Sequence, residues 1–142
     1  MAGYSGTPLI KKLGIKEGYR VAFLGAPKEY PKTLGKLPPA VAQVALLGEN
    51  KADLDFVQLF VKNQAELKSQ FPDAKKRLDP EGSLWVSWPK KISGIATDLN
   101  ENVIREFGLE MGLVDVKVCA VDDVWSGLKF VYRLKDRPKT GS

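Results

Sequence analysis

Apolar positions along the chain follow two spacings, one typical of buried strands and one typical of amphipathic helices. The run LDFVQLFV, residues 54–61, is nearly continuously apolar, as in strands that are buried on both faces of a parallel sheet. Shorter apolar runs lie between turn residues such as glycine, proline and aspartate. The pattern predicts strands at residues 19–24, 41–47, 54–61, 84–88, 114–121 and 128–134.

Capping residues mark the ends of two predicted helices. Thr7 can cap a short amino-terminal helix that stops at Gly14, a residue suited to the left-handed conformation. Asn63 and Glu66 resemble a capping box that opens a second helix. Pro72 lies inside that segment, and we expect it to break or restart the helix, which should end near residue 78. A single helical turn is also predicted at residues 30–34.

The last helix is predicted from apolar residues that recur every fourth position. Val103, Phe107 and Met111 would form one apolar face. Asp98 and Glu101 are the expected capping pair at its start.

This order of elements predicts a single α/β domain over residues 1–134, followed by a polar tail at residues 135–142. Helices between the third and fourth strands and between the fourth and fifth strands require parallel pairing with crossover connections. The terminal hairpin adds an antiparallel strand. We therefore predict a three-layer, Rossmann-like fold with a mixed sheet of six strands in the order 2-1-3-4-6-5 and a C-terminal antiparallel hairpin.

Composition excludes several kinds of catalytic site. The chain of 142 residues has no histidine and one cysteine, Cys119. It therefore cannot form a Ser-His-Asp or Cys-His triad or an intrachain disulfide, and the usual zinc ligand sets are absent. Any general base would be a carboxylate, a lysine or a tyrosine. We expect no metal site, although Asp53 and Asp55 could share one face of an extended segment.

Charge and hydropathy favour a cytoplasmic protein without membrane contact. The formal net charge is +5, and residues 1–50 hold seven basic and three acidic side chains. Lysines are interleaved with apolar residues and form no long basic run, so we do not expect nucleic-acid binding. No apolar stretch is long enough to span a bilayer, the first residues do not resemble a signal peptide, and one cysteine suits a reducing compartment.

The segments LDFVQLFV, LDPEGSLWVSW and GLVDVKVCAVDDVWSGLKFVYRL, with helices between them, resemble the carboxy-terminal half of a Rossmann-like methyltransferase. In that fold the last two strands form a similar hairpin. The resemblance implies a nucleotide-type cofactor, with S-adenosylmethionine bound by a glycine-rich turn after the first strand. Here GAPKEYP provides one glycine, Gly25, and no GxGxxG is present. Glu49 stands near the place of an acidic residue that would bond a ribose hydroxyl.

The chain also looks similar to an uncharacterised bacterial family, a domain of unknown function. The shared motifs are GYSGTPL, WPKK, ATDL, VDVKVCAVD and WSGLK, and they cover nearly the whole chain. This likeness implies a bacterial source and a Rossmann-like fold, and it implies no catalytic residue.

The loop after the fourth strand, WPKKISGIATD, is the strongest candidate for a binding site. Ligands of open parallel sheets bind beyond the carboxyl ends of strands, and a following helix amino terminus favours an anion. The loop offers two amines and two hydroxyls next to that terminus. The candidate ligand-binding residues are Trp88, Lys90, Lys91, Ser93, Gly94, Thr97 and Asp98. The alternative is that Asp98 itself caps the helix and the lysines point to water.

Three functions follow from these observations. The first is a binding module for an anionic small molecule or protein partner through the loop after the fourth strand. The second is a reduced methyltransferase-like enzyme with Gly25 and Glu49 at its cofactor. The third is an interaction subunit whose surface includes the hairpin edge and Trp125, although Trp125 is more simply explained by packing. Cys119, in VKVCAV, is expected to be buried and unreactive.

Overall fold

The computed structural model describes residues 8–46 and 51–136. Thr7, Leu47, Glu49 and the end of the predicted tail lie outside the described residues. The described elements are α1 (Leu9–Leu13), β1 (Arg20–Leu24), α2 (Tyr30–Leu34), β2 (Ala42–Gln43), β3 (Leu54–Phe60), α3 (Gln64–Arg77), β4 (Leu78–Pro89), α4 (Glu101–Glu110), β5 (Leu113–Ala120) and β6 (Trp125–Tyr132), with single 3-10 turns at Lys91–Ser93 and Leu134–Asp136.

The six strands form one mixed sheet in the order β2-β1-β3-β4-β6-β5, which confirms the predicted order. β1 pairs in parallel with β2 and β3, and β3 pairs in parallel with β4. β6 runs antiparallel to both β4 and β5, so the carboxy-terminal hairpin closes one edge of the sheet. The predicted three-layer α/β fold is confirmed.

Helices cover both faces of the sheet because the central strands are apolar on both sides. Val57 and Leu59 of β3 belong to the core beneath α3 and α4. Phe56 and Phe60 alternate with them and belong to a second core beneath α1 and α2. The helices that cover the two cores have buried residues such as Phe71 in α3 and Leu13 in α1.

β2 is much shorter than predicted. The sequence predicted a strand at residues 41–47, and the structure has two residues, both exposed. The carbonyls of Ala45 and Leu46 accept hydrogen bonds from the buried guanidinium of Arg77 at 2.9 and 2.7 Å. These carbonyls therefore bond to Arg77 instead of to β1, and the chain bends at Leu46.

α3 continues through Pro72, so the predicted break is wrong. A proline removes one backbone hydrogen bond from a helix interior. Phe71 and Ala74 on either side of it are fully buried against the sheet, and this packing holds the helix together.

β4 begins six residues earlier than predicted, at Leu78 instead of residue 84. Leu54 pairs with Leu78, and after an irregularity the ladder resumes at Phe56 and Ser83. The segment DPEG is therefore part of the strand. A Cβ at Gly82 would lie 2.8 Å from the Leu54 carbonyl oxygen, so only glycine permits this approach.

β6 also begins earlier than predicted, at Trp125 instead of residue 128. The Asp122 carboxylate accepts the backbone N–H groups of Val124 and Trp125, both at 2.8 Å, and makes a tight turn. The strand can then start immediately.

None of the described helices has the length and apolar character that crossing a bilayer requires.

Candidate functional site

The loop after β4 is held by its own hydroxyl groups. Ser93 donates to the Lys90 carbonyl at 2.6 Å and accepts from the Ile95 backbone N–H at 3.2 Å. Thr97 accepts from the Leu99 backbone N–H at 3.0 Å. Gly94 ends the short 3-10 turn with φ of 79°, a left-handed conformation that suits glycine. Both predicted hydroxyl donors therefore have a structural role in shaping the loop.

The sequence predicted that Asp98 caps α4, and the structure shows that it does not. Asn100 is the cap of α4 and accepts from the Val103 backbone N–H at 2.9 Å. The Asp98 carboxylate instead accepts from the backbone N–H of Gln64, at 2.8 Å, in the first turn of α3. The sequence pattern favoured the nearer helix, whereas the fold brings the amino terminus of α3 to the same edge of the sheet.

A small cavity of about 230 Å³ lies beside this loop, at the carboxyl end of β4. It is bordered by three of the predicted ligand-binding residues, Trp88, Lys91 and Thr97, together with Pro89, Leu99 and Asn100. Lys90, Ser93, Gly94 and Asp98 do not line it. The Lys91 side chain is exposed, while Trp88 is buried against the core of α3 and α4.

Gly25 lies at the carboxyl end of β1, where the chain turns away from the sheet. Its φ is +77°, and a Cβ at this position would lie 2.7 Å from the Phe60 carbonyl oxygen. The glycine is therefore required for the contact between β1 and β3 as well as for the turn. Glu49, its predicted companion, lies outside the described residues.

The carboxyl ends of β1 and β3 are the point where the sheet's connections diverge. The segment after β1 passes through α2 on one face, and the segment after β3 passes through α3 on the opposite face. Crevices of this kind are where open α/β sheets bind ligands.

A cavity of about 270 Å³ lies next to this point, between α2 and the edge of the sheet formed by β1 and β2. Its walls are mostly apolar and aromatic, and its polar side chains are those of Lys28, Tyr30 and Gln43. It is lined by Phe23, Ala26, Pro27, Lys28, Tyr30, Pro31, Leu34, Gly35, Leu37 and Gln43. Pockets for small molecules have the same character, an apolar wall with few polar groups.

Gly25 was predicted at the end of β1, whereas the cavity beside it was not predicted. The sequence feature that could have indicated the cavity is a set of prolines that restrict α2 to five residues, Pro27, Pro31, Pro38 and Pro39. A longer helix would cover more of the sheet edge. The short helix leaves the space that Phe23 and Gln43 border.

Buried polar side chains connect this cavity to the centre of the sheet. The Tyr30 hydroxyl donates to the Gln58 side-chain oxygen at 2.6 Å, and the Gln58 amide donates to the Ser87 hydroxyl at 3.0 Å. Burial raises the pKa of Tyr30, so the phenol remains a hydrogen-bond donor. The ring of Tyr30 also packs edge-on against Phe60, with centroids 4.7 Å apart. These contacts fix the wall of the cavity.

The carboxylates that could have shared a metal are used in the fold. Asp53 forms ion pairs with Arg77 and Arg20, and Asp55 accepts from the Arg20 backbone N–H at 2.9 Å. Within residues 8–46 and 51–136, no group of three or more cysteine and carboxylate side chains is arranged to hold a metal ion.

Cys119 and Trp125 differ in how well the predictions describe them. Cys119 is half-buried rather than buried, because β5 is an edge strand. Burial raises the pKa of its thiol, although Lys117 and Lys12 act in the opposite direction. Trp125 is 5% exposed and packs edge-on against Phe60, so it is a core residue and not an exposed platform for a partner.

Comparison with solved structures identifies the fold type. An S-adenosylmethionine-dependent methyltransferase from Aquifex aeolicus superposes with a TM-score of 0.58 at 14% identity, covering 86% of each chain. DhpI in complex with SAH gives 0.61 at 11% identity over 93% of this chain and 83% of its own. The fibrillarin pre-rRNA processing protein of Methanococcus jannaschii gives 0.56 at 12% identity, with 92% and 70% covered.

These similarities confirm the Rossmann-like, methyltransferase-type fold, and at such identities they show the fold alone. No protein-family model matches the chain, and no curated protein matches it at a significant level. The resemblance to the uncharacterised bacterial family therefore stays a prediction.

Proposed function

We propose that this chain is a reduced methyltransferase-like protein that binds S-adenosylmethionine, or a related adenosine-containing cofactor, at the carboxyl ends of β1 and β2. The observation that carries the proposal is the apolar cavity of about 270 Å³ beside Gly25. The cavity lies next to the point where the sheet connections diverge. The fold is also that of the methyltransferase-type structures described above.

The residues around the cavity suit the parts of such a cofactor. Phe23 and the other apolar side chains can accept an adenine ring, and the Gln43 amide can hydrogen-bond to a ribose hydroxyl. Lys28 can pair with the carboxylate of the methionine part. The turn after β1 has one glycine, Gly25, and lacks both the GxGxxG diphosphate cradle and the glycine-rich turn that the resemblance implies, so the side chains of the cavity would hold the cofactor.

The cofactor would supply an electrophilic methyl group for transfer to a nucleophilic acceptor. The protein's own contribution would be binding and orientation. Tyr30 and its bond to Gln58 would hold the wall of the cavity in place. The full chain has no histidine, so a reaction that needs a base at neutral pH would use a lysine, a carboxylate or the acceptor itself.

Isothermal titration calorimetry with S-adenosylmethionine, S-adenosylhomocysteine, ATP and NAD tests this proposal. We expect binding of the first two and weaker or no binding of the phosphate-bearing compounds. Ala26→Trp places a large side chain at the exposed rim of the cavity and should weaken binding at least tenfold. Ala52→Trp, also at an exposed alanine but at the opposite end of the sheet, is the matched control. The proposal fails if none of the compounds binds, or if both variants bind as well as the wild type.

A second candidate is an anion site in the smaller cavity after β4. Trp88, Lys91 and Thr97 border this cavity, which supports part of the predicted set. The Asp98 carboxylate of the same loop is negatively charged and reduces the attraction of the loop for an anion. It lies at the amino terminus of α3. Replacing Lys90 and Lys91 by alanine should abolish any stabilisation of the protein by sulfate at this site. Equal thermal shifts with sulfate in the variant and the wild type would reject it.

A further inference from the structure

Lysines from neighbouring strands meet on the face of the sheet that α1 covers. Lys117 of β5 lies directly opposite Lys129 of β6 in the ladder between these strands. The positive charge of Lys16, which follows α1, lowers the pKa of Lys129. We call Lys16, Lys117 and Lys129 the lysine patch. The chain places these residues far apart, and only the fold brings them together.

The lysine patch is unfavourable for folding. Like charges directly opposite each other on two strands destabilise a sheet. Within residues 8–46 and 51–136, no carboxylate lies within ion-pair distance of Lys16, Lys117 or Lys129. Burial lowers the pKa of Lys129, and the charges of Lys117 and Lys16 lower it further. Among the described residues, the Lys129 amine therefore has lysines for charged neighbours and no carboxylate partner.

One member of the lysine patch has a structural role. The Lys117 amine donates to the carbonyl of Lys12, at 3.0 Å, in the last turn of α1. Carbonyls at the end of a helix favour such a cation. Lys129 has no such role, although its amine reaches the same helix end, where a Cβ at Gly14 would lie 3.9 Å from it. The stem of Lys129 neighbours Trp85 across the ladder with β4.

We infer that the lysine patch is a binding site for a phosphoryl group. The amines of Lys117 and Lys129 both lie at the end of α1, and no carboxylate of the described residues is within ion-pair distance of them. Such amines match the charge of a phosphate, and lysine binds phosphate as a point charge. The group can belong to a small phosphate compound or to the phosphodiester backbone of a nucleic acid. This inference does not rest on the proposed cofactor site, which lies at the other edge of the sheet beside β1 and β2.

The test uses the full chain and the variant Lys129→Met, which keeps the apolar stem and removes the charge. Lys76→Met, at an exposed lysine of α3 on the opposite face of the sheet, is the matched control. A fluorescein-labelled single-stranded RNA of about 20 nucleotides tests the backbone source by anisotropy. Inorganic phosphate tests the small-molecule source by thermal shift against chloride at equal ionic strength.

For the backbone source, three lysine contacts predict a slope of log K against log salt of about −2, and loss of one contact weakens binding roughly fivefold at 0.1 M salt. We expect this loss in Lys129→Met and not in Lys76→Met. For the small-molecule source, phosphate should stabilise the wild type and Lys76→Met and not Lys129→Met. In either case Lys129→Met should be at least as stable as the wild type, because a repulsion is removed.

The inference is overturned if neither ligand binds, or if Lys129→Met binds both as well as Lys76→Met does. If Lys129→Met does not fold, Lys16→Met repeats the test, because Lys16 is exposed and lies outside the helices and strands. Unchanged binding in Lys16→Met would then overturn the inference.

Discussion

Replacing Arg77 by methionine tests how the segment between β2 and β3 is held against the sheet. Arg77 is 2% exposed at the end of α3. Its guanidinium donates to the carbonyls of Ala45, Leu46 and Lys51 at 2.9, 2.7 and 3.0 Å, and to the Asp53 carboxylate at 3.2 Å. A methionine of similar length would fill the space and donate to none of these oxygens.

The expected loss follows from which acceptors water can reach. Removing one partner of a buried charged network costs about 3–5 kcal/mol. Ala45 and Lys51 are exposed, so water can replace the guanidinium at their carbonyls, whereas Leu46 is buried. One buried carbonyl without a donor costs about 1–3 kcal/mol, and the Asp53 carboxylate also loses a charge-assisted partner. We therefore expect a total near 3–5 kcal/mol, a large part of the ~5–15 kcal/mol that holds a domain folded.

Urea denaturation at pH 7, followed by far-ultraviolet circular dichroism, measures this loss. Lys76→Met, next to Arg77 on the exposed side of α3, is the matched control and should change the free energy of unfolding by less than about 0.5 kcal/mol. A loss below about 1 kcal/mol in Arg77→Met, with an unchanged dependence on urea, would refute the reasoning. It would mean that the segment between β2 and β3 is held by its apolar contacts.

Three further predictions concern single side chains. Asn100→Ala should speed amide hydrogen exchange at Val103 in α4, whereas Asp98→Ala should act on α3 and leave Val103 protected. Each variant should lower the free energy of unfolding by about 1 kcal/mol. A reversed pattern of exchange would contradict the assigned caps. Cys119 should react slowly with a thiol reagent at pH 7, because burial raises its pKa and keeps the thiol protonated; labelling as fast as in urea would contradict this. Burial alone would raise the pKa of Asp53, but the Arg77 hydrogen bond and the Arg20 charge outweigh it and lower the pKa. Because the native pKa lies below the pKa of about 3.9 in the unfolded chain, the ionised carboxylate stabilises the fold above that pH. This stabilisation is lost as the pH falls through the native pKa. Acid unfolding should therefore be less steep in Asp53→Asn than in the wild type.

Element order was predictable because it depends on local patterns. The apolar run at β3, the capping pair Asn63 and Glu66, and the left-handed Gly14 each act within a few residues. Right-handed crossovers and the terminal hairpin then leave few sheet orders, and the observed order is among them. Element ends were less predictable, since the end of β2 is set by Arg77, which is about 30 residues away in the chain.

In the candidate sites, too, features that depend on local sequence could be predicted, and features that depend on contacts between distant residues could not. The place of Gly25 at the end of β1 could be predicted because one position and one residue type define such a turn. The cavity beside it depends on how a five-residue helix leaves Phe23 and Gln43 uncovered, which has no local sequence signature. Asp98 was assigned to the nearest helix in sequence, whereas its partner Gln64 is nearest in space. The lysine patch was invisible for the same reason, because it needs the register between β5 and β6.

The central claim is that a cofactor of the S-adenosylmethionine class binds beside β1 and β2. Amide chemical shifts of the ¹⁵N-labelled protein, titrated with S-adenosylhomocysteine, test it most directly because they report both binding and position. We expect saturable shifts concentrated in residues 23–37, the segment that provides most of the cavity lining, and at Gln43. No shifts at millimolar ligand, or shifts confined to the loop at residues 88–100, would contradict it.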